Sequence, residues 1–593
     1  MHVEDDWTGY GGVGDYAPSN GNPAAVVGAG HAVRDGVFAD RPAFLAGSAE
    51  VFDVVIVGAG LAGLHAAYEI MRLRGRSCRC LLLDNHPIFG GEAKQNEFLV
   101  DGHRLYGPQG SNDFLVPTQG YLRTVWDELG VGERFEFAPV PPGVPDAPLE
   151  NFGPMYWQPD RTPVGYFFPD ATWGGRGKWV IDPWKDGLAR APLPAALRRD
   201  LRRLWELRDP PLPKGDFTFW LDSMTYGHFL LDVLGLDPGV TAYVDPLLAA
   251  SNYGFGSDVI SAYAAYYSWM PGVRAYLPSA HLSSPSSPPL LSFPGGNSGI
   301  ARLLVRRMLP EAIEGPATLA GTLEGPVRFD ALDRKDAWLR IRLESTVMRV
   351  AHTGSPGHSQ EVSITYVRNG RIQQVRARAV VMATGAWINR RVLADAPAPL
   401  RAALEAFHHG PMLVVNVALR HWRFLARLGF TSARWFGGFG FFANIRRPMI
   451  VGGRSAPFHP DEPIVLTLYV PVTAPGHEIR TQGALARREL LSRRYADYES
   501  AVRSQLSTLF GAAGFDPARD IAGIILNRWG HAFIAPQPGF LLGRNGQPSP
   551  LEVVRLGYGR ICFGHSELAG AQNWPNAANE GARAARQALE LLS

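Results

Sequence analysis

Residues 52–97 read FDVVIVGAGLAGLHAAYEIMRLRGRSCRCLLLDNHPIFGGEAKQNE. The apolar run Phe52 to Val57 is a strand pattern, and it meets Gly58-Ala59-Gly60-Leu61-Ala62-Gly63. A helical pattern follows, then a second apolar strand, Cys80 to Leu83, ending in Asp84. Strand, glycine turn, helix, strand and acid, in that order, are what a dinucleotide site needs. Gly58 permits the tight turn. Gly60 lets the backbone approach a pyrophosphate, and Gly63 lets the helix lie close on the strand. The helix start then offers unpaired N–H groups to the phosphates. Asp84 stands about twenty residues past Gly63, where a carboxylate takes the ribose hydroxyls.

Context decides, because the glycine spacing alone recurs. Residues 27–33, VGAGHAV, imitate the motif. Asn22 and Pro23 precede them instead of a strand, and Val33 replaces the third glycine. This stretch reads as a chance glycine-rich loop. After Asp84 the chain continues Asn85-His86-Pro87-Ile88-Phe89-Gly90-Gly91-Glu92-Ala93-Lys94. The Gly90-Gly91 pair is typical of FAD proteins of the glutathione-reductase type. A nicotinamide dehydrogenase would run directly into another βαβ unit. FAD is therefore the expected cofactor.

The 593 residues suit two large domains, and 46% apolar residues support large cores. The formal net charge of +3 is small, and no basic run interleaves with aromatics, so nucleic acid is not an expected partner. The three cysteines, Cys78, Cys80 and Cys562, have neither metal-ligand nor disulfide spacing, as in a reducing compartment. The first residues are acidic without an apolar stretch, and no apolar run approaches roughly 18 residues. A cytoplasmic protein without a transmembrane segment is expected, or a periplasmic one if a signal peptide precedes this sequence.

Composition shifts divide the chain. Residues 1–50, rich in Gly, Pro and Asn, read as an ordered arm wrapping the surface. Residues 51–120 open the nucleotide domain. Residues 121–290 change character, with Trp157, Trp173, Trp179, Trp184, Trp205 and Trp220, helical segments between Phe229 and Met270, and a Ser/Pro loop from Ser283 to Pro289. Residues 291–400 return to the nucleotide domain. A helix is expected over 300–309, then strands over 338–343, 347–351, 361–367 and 375–382, the last running into Ala383-Thr384-Gly385. Residues 401–520 resume the second lobe, and 521–593 close the first. The fold class is α/β: a Rossmann-like, glutathione-reductase-type FAD domain interleaved with an α+β substrate domain.

Residues 559–589, GRICFGHSELAGAQNWPNAANEGARAARQAL, give a short strand, a loop with His565 and Glu567, and an Ala/Arg-rich helix. The start of that helix can stabilise negative charge on a reduced flavin. The Gly58–Gly63 turn, Gly90-Gly91, Pro294-Gly295-Gly296, Ala383-Thr384-Gly385 and this tail resemble, in order and spacing, the flavin amine oxidase superfamily. More narrowly, the chain resembles spermidine dehydrogenase-like FAD proteins. That resemblance rests on residues 7–16, WTGYGGVGDY, on Leu83-Asp84-Asn85-His86, Lys94 and Asn96-Glu97-Phe98, on residues 258–263, DVISAY, and on Gly564-His565-Ser566-Glu567.

The resemblance implies that Gly58, Gly60 and Gly63 hold the pyrophosphate and Asp84 the ribose. It implies that Gly90, Gly91 and Lys94 lie near the phosphates, and that the Val347 backbone meets adenine. Gly385 would return beside the cofactor. Glu567 would hold the ribose-phosphate region, and Asn576 with Ala577 would lie near the flavin ring. Glu92 stands where many amine oxidases have Arg. Relatives with covalent flavin use a cysteine upstream of the tail. Cys562 lies inside the tail strand, so the implied FAD is non-covalent.

The implied reaction moves a hydride from a C–H next to nitrogen to flavin N5, and the imine hydrolyses to an aldehyde and an amine. A polyamine such as spermidine leads among substrates. Oxygen, a quinone or a redox protein such as a haem partner is the expected acceptor, and a homodimer is compatible. Trp529 and His531 are expected to line the site, and His565 to stand beside the flavin or only orient its loop. Asp258 reads as a carboxylate for a distal ammonium or as a helix N-cap. His408-His409 reads as a loop pair near a helix end rather than a metal site. Two other readings use the same nucleotide domain: an FAD-dependent desaturase or isomerase with an apolar tunnel, and a non-catalytic binding scaffold.

Overall fold

A computed structural model of the chain describes residues 7–38, 50–155, 162–169, 177–277 and 289–592. Trp157, Trp173, residues 283–288 of the Ser/Pro block and the outermost parts of the expected arm lie outside the described residues. The described arm does more than wrap the surface. Leu526 N–H donates to Thr8 O, Tyr10 N–H to Ile524 O and Asn22 N–H to Arg528 O. Tyr16, Ser19 and Asn20 are wholly buried. The expected loop at 27–33 is instead part of helix α1 (Ala24–Arg34). Two glycines do not stop a helix when alanines and valines flank them.

The first lobe opens with strand β1 (Glu50–Val57), helix α2 (Leu61–Arg74) and strand β2 (Cys80–Leu83). An antiparallel pair follows, β3 (Gln95–Val100) and β4 (His103–Pro108). Strands β5 (Val164–Phe168) and β6 (Lys178–Ile181) begin the second lobe. The chain returns through α3 (Ser298–Met308), β7 (Leu339–Arg342), β8 (Thr346–His352), β9 (Val362–Arg368), β10 (Arg371–Met382) and α4 (Ala386–Val392). The second lobe is completed by β11 (His409–Leu419), β12 (Ser432–Trp435), β13 (Phe442–Ile445), β14 (Ile464–Pro471) and β15 (Ile521–Ile534). Strand β16 (Ile561–Phe563) and helix α5 (Trp574–Glu590) close the first lobe.

The first sheet runs β7-β2-β1-β10-β9-β8, with β16 also on β10. Strands β7, β2, β1, β10 and β16 are mutually parallel. Such strands are covered on both faces, so they read as continuous apolar runs. Val54 and Ile56 pack under α2 and α5, while Val55 and Val57 pack with Val380, Met382 and Leu404 on the other face. The second sheet runs β15-β11-β14-β13-β12-β5-β6. Strand β15 belongs to this sheet through its pairing with β11, so the last return to the first lobe begins beyond Ile534, not at residue 521. Among the described residues no helix is long and apolar enough to cross a membrane.

Helix α5 turns Ala578, Gly581, Ala582 and Ala585 inward. A Cβ at Gly581 would run into the Ala62 carbonyl of α2. Gly581→Ala would gain up to about 1 kcal/mol of helix propensity, but overlap with a fixed backbone oxygen costs about 1–3 kcal/mol. The expected outcome is a lower thermal-unfolding midpoint by scanning calorimetry. An unchanged or raised midpoint would show that the two helices are not in close contact.

Candidate functional site: a crevice at the ends of the parallel strands

The C-terminal ends of the parallel strands share one edge of the first sheet, the usual place for a ligand crevice in an open α/β fold. From that edge leave the Gly58–Gly63 turn, Asp84, Ala383-Thr384-Gly385 and the loop to Glu567. Gly58 has φ +106°, and a Cβ there would stand 2.7 Å from Ala383 O. A Cβ on Gly63 would strike Gly58 O. Gly60 is the N-cap of α2, and no side chain caps this helix. Leu61, Ala62 and Gly63 are nevertheless buried. A buried helix start without a capping side chain needs an acceptor from elsewhere, and a pyrophosphate supplies one. Gly60 pairs with Gly90, and a Cβ on Gly60 would be 3.6 Å from Gly91 Cα. The two glycine motifs therefore abut, and the residues present fit a dinucleotide such as FAD.

Asp84 uses its carboxylate on the turn itself. Oδ2 accepts from Ala59 N–H at 2.6 Å and Oδ1 from His86 N–H at 2.8 Å. Burial raises its carboxyl despite these bonds. Ser345 N–H donates to Asp84 O at 2.7 Å, which brings the start of β8, and with it Val347, to the crevice edge.

Lys94 departs from expectation. Its Nζ lies 2.7 Å from Ser19 Oγ, 3.0 Å from Gly21 O and 2.9 Å from His86 Nδ1. Its nitrogen is thereby engaged by the arm and His86. Burial lowers this amine to about 7. Glycine spacing could not reveal this, because the partners come from the arm.

Trp529 and His531 stand two residues apart on β15, where its pairing with β11 shifts register between Met412 and Gly410. Trp529 Nε1 donates to Gln109 O at 2.7 Å, and Lys94 Nζ stands 5.1 Å from its ring centroid. His531 stacks on Trp387 at 4.8 Å with rings 5° from parallel. The edges of His409 and His565 meet the same indole at 4.6 and 6.0 Å. Gly385 is required here, because a Cβ would penetrate the Trp387 ring. Glu567 Oε1 accepts from Ala386 N–H at 2.6 Å, and Oε2 lies 2.7 Å from His409 Nε2. His565 Nδ1 accepts from Glu567 N–H at 3.4 Å, so it orients the loop. Burial pushes the Glu567 carboxyl up to about 7. Burial lowers His531 and His409, with Arg487 adding to it, and burial also lowers His565.

Trp387 stands two residues past Gly385 of the Ala-Thr-Gly turn, a local signal in the sequence. His409, expected with His408 in a loop pair near a helix end, instead starts strand β11, whose partners lie far along the chain. At the other wall, Asn573 caps α5 by accepting from Asn576 N–H at 2.9 Å, and Ala577 is buried beside it. Asp258 takes neither expected part: it is exposed, and its Oδ2 accepts from Gly476 N–H and Gln482 Nε2. Ser261 caps the following helix instead. Cys562 is a buried free thiol in β16.

Residues 56–129 match the family model of an NAD(P)-binding Rossmann-like domain. No curated protein matches the chain. Among solved structures, a putrescine oxidase bound to putrescine is 14% identical, with TM-score 0.55, covering 91% of this chain and 99% of its own. Cyclohexylamine oxidase from Brevibacterium oxydans IH-35A is 16% identical, with TM-score 0.55, covering 91% and 98%. A CLA-producing fatty acid isomerase from P. acnes is 14% identical, with TM-score 0.51, covering 90% and 97%. These likenesses establish the shared two-domain fold.

The raised Glu567 carboxyl has a stability signature. A carboxyl with a folded pKa above its unfolded value stabilises below the unfolded pKa and loses that contribution as pH rises through the folded one. The window runs from the ordinary value of 4.5 to about 7. Glu567→Gln mimics the protonated side chain at every pH. From pH 5 to 8 its stability relative to the parent should improve, by roughly 3 kcal/mol, in denaturant unfolding. A difference independent of pH would show that Glu567 is ionised throughout.

Proposed function

We propose that this protein binds FAD without a covalent bond and oxidises an amine, with a polyamine such as spermidine as the leading substrate. The observation that carries the reading is the buried, uncapped start of α2, with Trp529 of the second lobe beside Lys94 and His531 stacked on Trp387. When bound there, FAD would accept the hydride from the C–H beside the amine nitrogen, and water would hydrolyse the resulting imine to an aldehyde and an amine. The side chains named above orient and desolvate. Trp529 offers an apolar face that strips water from an amine and tolerates its cation. The buried histidines around Trp387 are held neutral, so they do not repel an ammonium group. Gly385 and Glu567 hold that wall in place.

Two solved structures of this fold are named for amine oxidation, which agrees with the reading. A third is a fatty acid isomerase, which keeps alive a second reading, flavin chemistry on an apolar substrate.

The purified protein should be yellow and should release FAD on denaturation. Anaerobic mixing with spermidine should bleach its visible flavin band within the mixing experiment. A colourless protein that takes up no added FAD would remove the whole reading. A yellow protein that no amine bleaches would favour the apolar-substrate reading.

A further inference from the structure

A charged cleft of about 400 Å³ opens on the first lobe, lined by Glu50, Asp333, Lys335, Arg340, Arg342 and Arg368. Val375 also lines it, and Val375 pairs with Glu50 at the opening end of β1. The Gly58 turn leaves the other end of that strand. A strand rises about 3.3 Å per residue, so the two ends stand roughly 25 Å apart. The cleft is therefore separate from the nucleotide crevice.

Local structure gathers the basic groups there. Arg340 and Arg342 alternate on the edge strand β7, opposite Leu81 and Leu83 of β2 in an unbroken register, so both side chains leave one face. Arg368 ends β9, two residues past Tyr366. Arg342 Nη1 donates to Tyr366 OH at 2.6 Å, and that hydroxyl donates to Gln373 Oε1 at 2.8 Å. These two bonds tie the edge strand to the β9–β10 hairpin and fix the Arg342 guanidinium.

The carboxylates do not balance the cations. Asp333 faces three guanidinium groups: Arg340 Nε at 2.6 Å, Arg342 Nε at 2.8 Å and Arg368 Nη1 at 3.2 Å. Burial would raise its carboxyl, yet the bonds and charges of Arg342 and Arg340 hold it below its ordinary value. Glu50 lies 2.5 Å from Arg340 and 3.7 Å from Arg342, and it also meets Arg79 at 3.5 Å. Four cations thus line the cleft against two carboxylates, and one carboxylate is shared with a further arginine.

This excess is partly cut off from water. Arg340 and Arg342 are each 5% exposed. Arg368 Nε is buried and has no hydrogen-bond partner. A buried guanidinium N–H without an acceptor is costly, and an anion that accepts from it removes the cost. The Arg368 side chain is 31% exposed, so its fork can turn onto an anion at the mouth of the cleft. Guanidinium forks match the oxygens of phosphate and carboxylate. The excess of two charges favours phosphate, which is close to doubly charged at pH 8 because its second proton leaves at about pH 6 to 7. A carboxylate carries only one.

We propose that this cleft binds a phosphate dianion, free or as a monoester, held by Arg368 and Lys335 above the buried Arg340 and Arg342. The site is independent of the amine-oxidation reading. A ligand there joins β1, β7 and β9, so it stabilises the lobe that carries the nucleotide crevice.

The test is isothermal titration calorimetry of the protein saturated with FAD, in phosphate-free buffer at pH 8. FAD keeps the crevice phosphate positions filled. Glycerol 3-phosphate and inorganic phosphate should bind, and acetate should bind at least about 10-fold more weakly. Tighter binding of glycerol 3-phosphate supports an ester as the ligand, and tighter binding of inorganic phosphate supports the free ion. Arg368→Gln should raise the Kd of the tighter ligand by roughly 10-fold, the scale of one hydrogen bond to a charged group. Lys335→Gln should raise it by at least about 2-fold. Lys335 is exposed, so its replacement guards against misfolding of the first variant. Lys214→Gln, exposed on the second lobe, should leave the Kd unaltered. No binding by the parent, acetate binding as tightly as phosphate, or a Kd unaltered in both cleft variants overturns the site. Each of these outcomes holds whether or not an amine bleaches the flavin.

Discussion

The start of helix α2 is buried with its donors unclaimed by any capping side chain, and the surrounding structure is arranged about it. Parallel pairing of β1 with β2 and β10 sets the Gly58 turn, Asp84 and Ala383 on one edge. Gly63 and Gly581 carry no side chain because α2 lies against β1 on one side and α5 on the other. A buried helix terminus of this kind is unfavourable until an anion meets it. The first lobe is thus built around a binding cost that a phosphate-bearing ligand removes.

What was legible in the sequence was what is local. The Gly58–Gly63 turn imposes backbone demands within six residues, and Asp84 follows at a spacing fixed by one helix and one strand. The two-lobe fold was legible because β1 and β10 are buried on both faces while the second lobe is rich in tryptophan. The Trp387 cluster was not. His409 and Glu567 are 158 residues apart and meet only because β10 pairs with β16 and β11 with β15. The boundary at Ile521 failed for a similar reason: strand pairing, not composition, assigns β15 to the second sheet.

The arm shows the same limit from the other side. Its glycines and asparagines read as surface chain, yet they supply the partners of buried polar groups. Asn96 Nδ2 donates to Asn20 Oδ1 at 2.7 Å, and Asn96 Oδ1 accepts from both Asn416 and Asn527 at 2.7 Å. These bonds join the arm, β3, β11 and β15, so satisfying one buried amide fixes four segments together. Lys94 belongs to the same arrangement. A side chain that motif reading offers to a phosphate is held at the junction between arm, glycine pair and Trp529.

The two ends of the site carry opposite electrostatic demands. At the start of α2 the backbone presents positive partial charge and calls for an anion. One residue past the glycine pair, burial holds the Glu92 carboxyl up at about 8. Strand β15 supplies a ring to each of two neighbouring places: Trp529 lies against Gln109 and Lys94, and His531 stacks on Trp387. Strand pairing in the second lobe, and not the nucleotide motif, therefore sets which rings of β15 stand beside the first lobe.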